Sequence, residues 1–262
     1  MLRALSTAAT GMIAQQLTVD AIANNLANVN TAGYKKSRTE FQDLLYQTVG
    51  SAGASGSAQS KIPVAVQIGH GSRLTATQKL HTQGNTQETG NPLDLLVEGT
   101  GFFQVSMPSG EIGYTRDGTF KLDGQGSLVT SDGYTLEPAV TVPTDAEDVS
   151  VDSTGRITVR VAGTTEPQEV AQLELARFVN PAGLESAVRN LYRATSASGD
   201  PSLAAPGQDG MGMIVSGYLE MSNVQVVEEM IALITAQRAY EINSKSIQTS
   251  EEMLAVVNNL RR

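Results

Sequence analysis

The run from Ser222 to Leu260 constrains the fold most, because it reads as one long helix with more apolar surface than a single neighbour can cover. Val226, Met230, Leu233, Gln237, Tyr240, Ser244, Ile247, Glu251 and Leu254 recur at alternating steps of four and three, and Val224, Val227, Ile231 and Ile234 form a second stripe. Two stripes require two or more neighbours. Ser222 and Asn223 are expected to supply N-cap oxygens. Glu228 and Glu229 then sit near the positive end of the helix dipole and Arg261 and Arg262 near the negative end.

The other end of the chain repeats the pattern, with Leu2, Leu5, Ala9, Met12, Gln16, Val19, Ala23 and Leu26 at steps of three and four. At about 1.5 Å per residue the first helix spans roughly 40 Å and the second roughly 55 Å. If the two pair, parallel or antiparallel, part of the longer one stays unmatched. Either they form an ordinary two-helix packing inside one globular domain, or the excess face meets another subunit. Amphipathic helices of this kind gain most of their stability from packing, so a free chain is expected to hold both ends loosely.

With 262 residues, 40% of them hydrophobic, the chain is long enough for one or two domains with a real core. It contains no cysteine, which removes disulfides, thiolate metal sites and cysteine nucleophiles together. The formal charge of -9 is unevenly placed. Thr75 to Gly217 carries 8 basic and 18 acidic residues, Met1 to Leu74 six and three, and Tyr218 to Arg262 four and six. An acidic middle argues against binding nucleic acid or an anionic membrane. No run approaches the roughly 18 apolar residues of a bilayer-spanning helix. Gln15, Gln16 and Asp20 interrupt the N-terminal apolar bias, so no cleaved signal peptide is expected.

Between the ends, Asn24 to Lys35 concentrates amides where a helix should stop, with Gly33 permitting a positive φ. Lys35, Lys36 and Arg38 read as solvated surface, and Phe41, Leu44, Leu45 and Tyr46 as a small apolar cluster. From Thr48 to Ser60 small and polar residues remain, Val49 apart. This stretch is either a flexible linker or an arm that becomes ordered between subunits. From Gly69 to Tyr218 the texture is β: short alternating runs separated by Ser109-Gly110, Asp117-Gly118, Asp123-Gly124, Asp132-Gly133 and Thr154-Gly155, which read as hairpin turns.

Candidate catalytic chemistry is sparse. His70 and His81 lie eleven apart in unlike settings and read as turn or surface imidazoles. Asp145, Glu147, Asp148 and Asp152 lack the spacing of a calcium loop. Gly99-Thr100-Gly101 leads into a strand where a phosphate loop needs a helix, and no Gly-x-Ser-x-Gly elbow exists. Neither a catalytic residue, a metal site nor a cofactor is expected.

Asn24-Asn25-Leu26-Ala27-Asn28-Val29-Asn30-Thr31-Ala32-Gly33-Tyr34-Lys35 resembles the N-terminal signature of the rod and hook proteins of the bacterial flagellum. Ser222-Asn223-Val224, together with Gln237-Arg238-Ala239-Tyr240-Glu241-Ile242-Asn243-Ser244-Lys245, resembles their C-terminal one. The middle is similar in Gly101-Phe102-Phe103-Gln104-Val105, Tyr114 to Phe120 and Gly183-Leu184-Glu185-Ser186. Within that family the length and the stretch after Tyr46 are most similar to members of the distal rod. The hook and proximal rod siblings remain alternatives, as does, from another class, a secreted β domain that binds or hydrolyses glycans.

The resemblance implies an α+β fold. Long N- and C-terminal helices (residues 1–34 and 218–262) form a coiled-coil assembly layer, residues 35–68 a connecting segment with the Gly/Ser-rich arm, and residues 69–217 an inserted antiparallel β-rich outer domain. It implies a non-enzymatic subunit that polymerises into the distal rod, a helical tube that encloses the export channel and passes motor torque to the hook. The arm, roughly Gln47 to Ile68, is associated with stiffness. Implied partners are further copies of the chain, other rod proteins and hook protein axially, the rod cap during assembly, the outer ring bushing and the flagellar type III export apparatus, with no nucleic acid and no membrane insertion. The implied location is the basal body, spanning periplasm and outer membrane. The expected assembly interface comprises Leu2, Leu5, Met12, Val19, Leu26, Asn28, Gly33, Val226, Val227, Met230, Ile231, Leu233, Ile234, Tyr240, Ile247 and Leu254.

Overall fold

Two heptad-bearing ends and a turn-rich middle give an α+β chain with a helix at each end and antiparallel strands between. The computed structural model describes residues 2–50, 55–57, 60–61, 64–143, 145–161 and 167–259. Arg261 and Arg262, expected at the end of the second helix, lie outside the described residues, as does the side chain of Leu2. The chain divides into two compact units. The first comprises Met1–Leu26, Ser37–Gln78 and Gln225–Arg262, and the second Ala27–Lys36 and Lys79–Val224.

In the first unit α1 spans Leu2–Ala27 and α2 spans Val226–Asn259. They run antiparallel: Asn25 meets Glu229, and fourteen residues back along α1 Gly11 meets Asn243, fourteen residues on along α2. The second helix starts later than its sequence suggests. Asn223 is occupied with other backbone groups, and Ser222 Oγ accepts from Val224 N at 3.2 Å, so Gln225 O takes the first helical bond, from Glu229 N at 3.0 Å.

Four strands complete this unit's ribbon: β1 (Ser37–Asp43), β2 (Tyr46–Gly50), β5 (Val66–Gly69) and β6 (Ser72–Lys79), with β1 paired to β6 and β2 antiparallel to β5. At the tip, β3 (Ser55–Ser57) pairs with β4 (Ser60–Lys61). The stretch expected to be a flexible linker or an arm ordered between subunits pairs, in its described parts, as a two-stranded ribbon within its own chain. Its small residues carry a backbone ladder even though they cannot build a core. Residues 51–54, 58–59 and 62–63 lie outside the description.

The second unit carries β7 (Thr86–Glu88), β8 (Leu95–Glu98), β9 (Phe103–Ser106), β10 (Ile112–Thr115), β11 (Phe120–Leu122), β12 (Leu128–Thr130) and β13 (Thr135–Glu137). Then come β14 (Ala146–Val151), β15 (Arg156–Val161), β16 (Gln168–Gln172), β17 (Leu175–Arg177), β18 (Glu185–Ser186), β19 (Leu191–Arg193), β20 (Ser202–Ala204), β21 (Met213–Ser216) and β22 (Tyr218–Glu220). A seven-stranded sheet runs β11-β12-β13-β9-β10-β19-β18. Beside it lie the sheet β14-β15-β16 and the pairs β17-β20, β8-β21 and β7-β22.

Alternation along the strand sorts the aromatics, because successive side chains point to opposite faces. Phe103 enters one core with Val105, Phe120, Leu136 and Ile157. Its neighbour Phe102 enters another with Tyr114, Phe178 and Tyr192. Most of the expected glycine turns form: Gly110, Gly133 and Gly155 have φ of +81°, +83° and +79°. In the Asp123-Gly124 turn the positive φ falls to Gly126. Asp117-Gly118 is not a hairpin. There the constraint is close approach, since a Cβ on Gly118 would lie 1.7 Å from Leu95 O.

Candidate assembly surface

In α2 the side turned inward presents Glu229, Ala236 and Ser250, all buried, with Leu233, Ile247 and Leu254 half-buried. One face of the helix is thus used within the chain, but it is displaced from the expected stripe: Glu229, Ala236 and Ser250 lie outside that stripe, and Gln237 and Glu251, which belong to it, are exposed. The remaining expected positions are exposed: Val226 by 41%, Val227 by 71%, Met230 by 51%, Ile231 by 61%, Ile234 by 48% and Tyr240 by 43%. All but Tyr240 are non-aromatic apolar side chains, and each leaves more than two fifths of its surface exposed among the described residues.

On α1 the fully buried positions are Ala8, Ala14, Ile22 and Asn25, while the expected Leu5, Met12, Val19 and Leu26 are half-buried. Small residues let the elements approach: a Cβ on Gly11 would stand 2.9 Å from Asn243 Nδ2. Val19 and Tyr240 do not close on one another but line a groove of about 420 Å³ with Gln16, Gln237 and Glu241. Asn28 and Gly33 belong to the second unit, where Asn28 is half-buried and Gly33 is buried with φ +68°.

Asn25 organises its end of the helix pair. Its Nδ2 donates to Ser37 O at 2.9 Å and to Glu229 Oε2 at 3.2 Å, while its Oδ1 accepts from Ser37 N at 2.9 Å. One buried amide thus joins α1, β1 and α2.

In the second unit, three segments remote in sequence converge on Glu220. Its Oε1 accepts from Lys35 Nζ and, at 2.9 Å, from Gly84 N; its Oε2 accepts from Arg116 Nη1 at 3.3 Å. Lys35 is fully buried and also donates to Thr82 O at 2.7 Å. Arg116 Nη1 and Nη2 reach Val97 O at 3.2 Å and Gly99 O at 2.7 Å. Burial lowers the pKa of both cations from the usual values, and Glu220 opposes the shift. Gly33 N donates to Glu220 O at 2.8 Å. Nearby in sequence, Asn223 Oδ1 accepts from Lys36 N at 2.7 Å and its Nδ2 donates to Leu80 O at 2.8 Å.

Lys35 is therefore not the solvated cation that its basic neighbours suggest. No local pattern marks it, because its carboxylate lies 185 residues away. His81 is likewise no surface imidazole. It sits edge-on to Phe102 and Tyr192, with ring centroids 5.4 and 5.2 Å away. Burial first, and then the charges of Lys35, Arg116 and Lys79, push its pKa down to about 4, so it is neutral in the fold. Among the described residues no helix is long and apolar enough to cross a membrane, and no group of three or more His, Asp and Glu side chains is placed to hold a metal ion.

Three family models match successive parts of the chain: "Flagella basal body rod protein" over residues 5–35, "Flagellar hook protein FlgE/F/G D1 domain" over 96–159 and "Flagellar basal body rod FlgEFG protein C-terminal" over 215–260. The chain is 48% identical to the flagellar basal-body rod protein FlgG of Borreliella burgdorferi, covering 100% of both chains. Its identity to FlgG of Caulobacter vibrioides is 48%, over 99% of this chain and 100% of that one, and to FlgG of Bacillus subtilis 40%, over 100% of both. Matches at both ends and in the middle coincide with the two helices and the large sheet. The chain belongs to the flagellar basal-body rod protein family and is a structural subunit of the flagellar rod.

Proposed function

We propose that the chain polymerises helically into the distal rod, with its terminal helices forming a coiled-coil inner layer around the export channel. Residues 69–217 then form an outer β-rich layer that turns inside the ring bushing of the cell envelope, and residues 35–68 connect the two. The observation that carries this reading is the unused face of α2. Val227, Ile231 and Ile234 repeat at helical spacing while exposed by 71%, 61% and 48%, and contiguous apolar surface of this kind marks a contact site. A heterologous contact that does not close propagates into a helical filament.

Torque transfer follows from many simultaneous contacts over long lever arms, with the sheet and the ribbon resisting twist outside the helices. Axial partners in this account are the other rod proteins and the hook protein. The rod cap guides assembly, and the type III export apparatus delivers the chain. Ile231→Asp tests the reading, because an exposed position tolerates charge in the free chain. Soluble, folded protein with no rod and no swimming is the expected result; normal rods and swimming would overturn the reading.

A further inference from the structure

The second unit holds a pocket of about 510 Å³ that assembly through the helices does not use. Its walls include His81, Phe102, Phe178 and Pro181, with Arg116 inside and Arg177 among the lining residues. Its surroundings carry an excess of positive charge. Lys35 and Arg116 share a single carboxylate, that of Glu220. Lys79 Nζ donates to the Lys35 backbone carbonyl at 3.1 Å and lies 4.4 Å from the Tyr34 ring centroid. Arg177 spends one donor on Asp209 O at 2.9 Å, and no carboxylate ion pair is seen for it among the described residues.

This basic pocket is set in the most acidic part of the chain, 18 acidic against 8 basic residues between Thr75 and Gly217. Beside it, Val179 is exposed by 94%, the largest exposure of any bulky apolar side chain among the described residues. A positive, aromatic-walled pocket with an uncovered valine at its rim fits a carboxylate brought in on a protein edge.

We propose that this pocket docks the acidic β14–β15 hairpin of a second copy. The hairpin has exposed Asp148 on its strand and Asp152 at its turn, and its acids outnumber Arg156 and Arg160. Pocket and hairpin are different surfaces, so a one-way contact between them is heterologous and propagates along a filament, whereas a reciprocal exchange would stop at a dimer. It rests on the rod-subunit reading and adds an outer-layer contact to the helical one.

The chain has no cysteine, so Arg177→Cys gives one attachment point for a benzophenone maleimide in intact rods. After illumination, covalent dimers are excised and mapped. Adducts within residues 145–156 of the second copy are expected; adducts elsewhere, adducts to another protein, or no dimer while rods form would overturn the docking proposal and leave the helical one standing. Failure of Arg177→Cys to form rods while Arg177→Lys, which keeps the charge, assembles normally would support the role of the Arg177 charge; failure of both would overturn it. A charge-swap pair decides the electrostatics. Arg177→Glu should cut rod yield at least tenfold, and adding Asp148→Lys should restore part of it; equal yields for all three chains would also overturn the proposal.

Discussion

Asn25 and Glu229, 204 residues apart in sequence, meet side chain to side chain at 3.2 Å, and through Ser37 the same asparagine holds the first strand of the ribbon. Asn25→Ala removes one bond each from the half-buried Ser37 N–H, the Ser37 carbonyl and the buried Glu229 carboxylate. A loss of about 2 to 4 kcal/mol is expected for that end of the helix pair. Hydrogen exchange at the Ser37 amide should accelerate accordingly, while amides of the seven-stranded sheet stay unchanged.

Glu220 is the one carboxylate that Lys35 and Arg116 share. Removing it leaves two buried cations, whereas removing Lys35 leaves one balanced pair. Glu220→Gln should therefore cost more than Lys35→Met. Breaking a buried ion pair costs about 3 to 5 kcal/mol, and the glutamine variant should sit at or above the top of that range. Urea unfolding followed by tyrosine near-ultraviolet circular dichroism gives the ranking.

His81 sets an acid limit. Its folded pKa of about 4 lies below the ordinary 6.5, so the unfolded chain binds the proton more readily. Its contribution is complete above about pH 6.5, lost as pH falls toward about 4, and flat below that, a change of about 3 kcal/mol for this group. His81→Gln should remove most of the pH dependence in that window. A midpoint equally sensitive to pH in the variant would place the acid lability elsewhere.

Gly33 and Gly110 separate two kinds of glycine requirement. Both have positive φ, but a Cβ on Gly33 would lie 2.4 Å from Asp117 N, while one on Gly110 meets nothing within 4 Å. Gly110→Ala should cost only the left-handed strain, about 1 to 2 kcal/mol. For Gly33→Ala the backbone clash adds to that, and the urea midpoints of the two variants should differ clearly.

Periodicity made both helices, their pairing and the glycine turns legible, because those signals are local. In α2 the expected stripe shares only Leu233, Ser244, Ile247 and Leu254 with the covered side of the helix; the buried positions Glu229, Ala236 and Ser250 lie outside it, because a charged or small side chain gives no hydrophobic signal. What stayed hidden was non-local. Nothing near Lys35 announces Glu220, and nothing near Asn223 announces that its amide binds Leu80 and Lys36 and so cannot cap a helix. The ribbon was hidden for another reason: Tyr46 to Gly50 and Val66 to Gly69 pair through backbone groups that composition does not display.

Central to the account is that the outward face of α2 is bare in one chain and covered in the rod. Ile231→Cys places the only thiol of the chain on that face, at a position exposed by 61%. Maleimide labelling before and after assembly reads its accessibility directly. Rapid labelling of the free chain and at least tenfold slower labelling in purified rods is the predicted result; equal rates in the two states would contradict it.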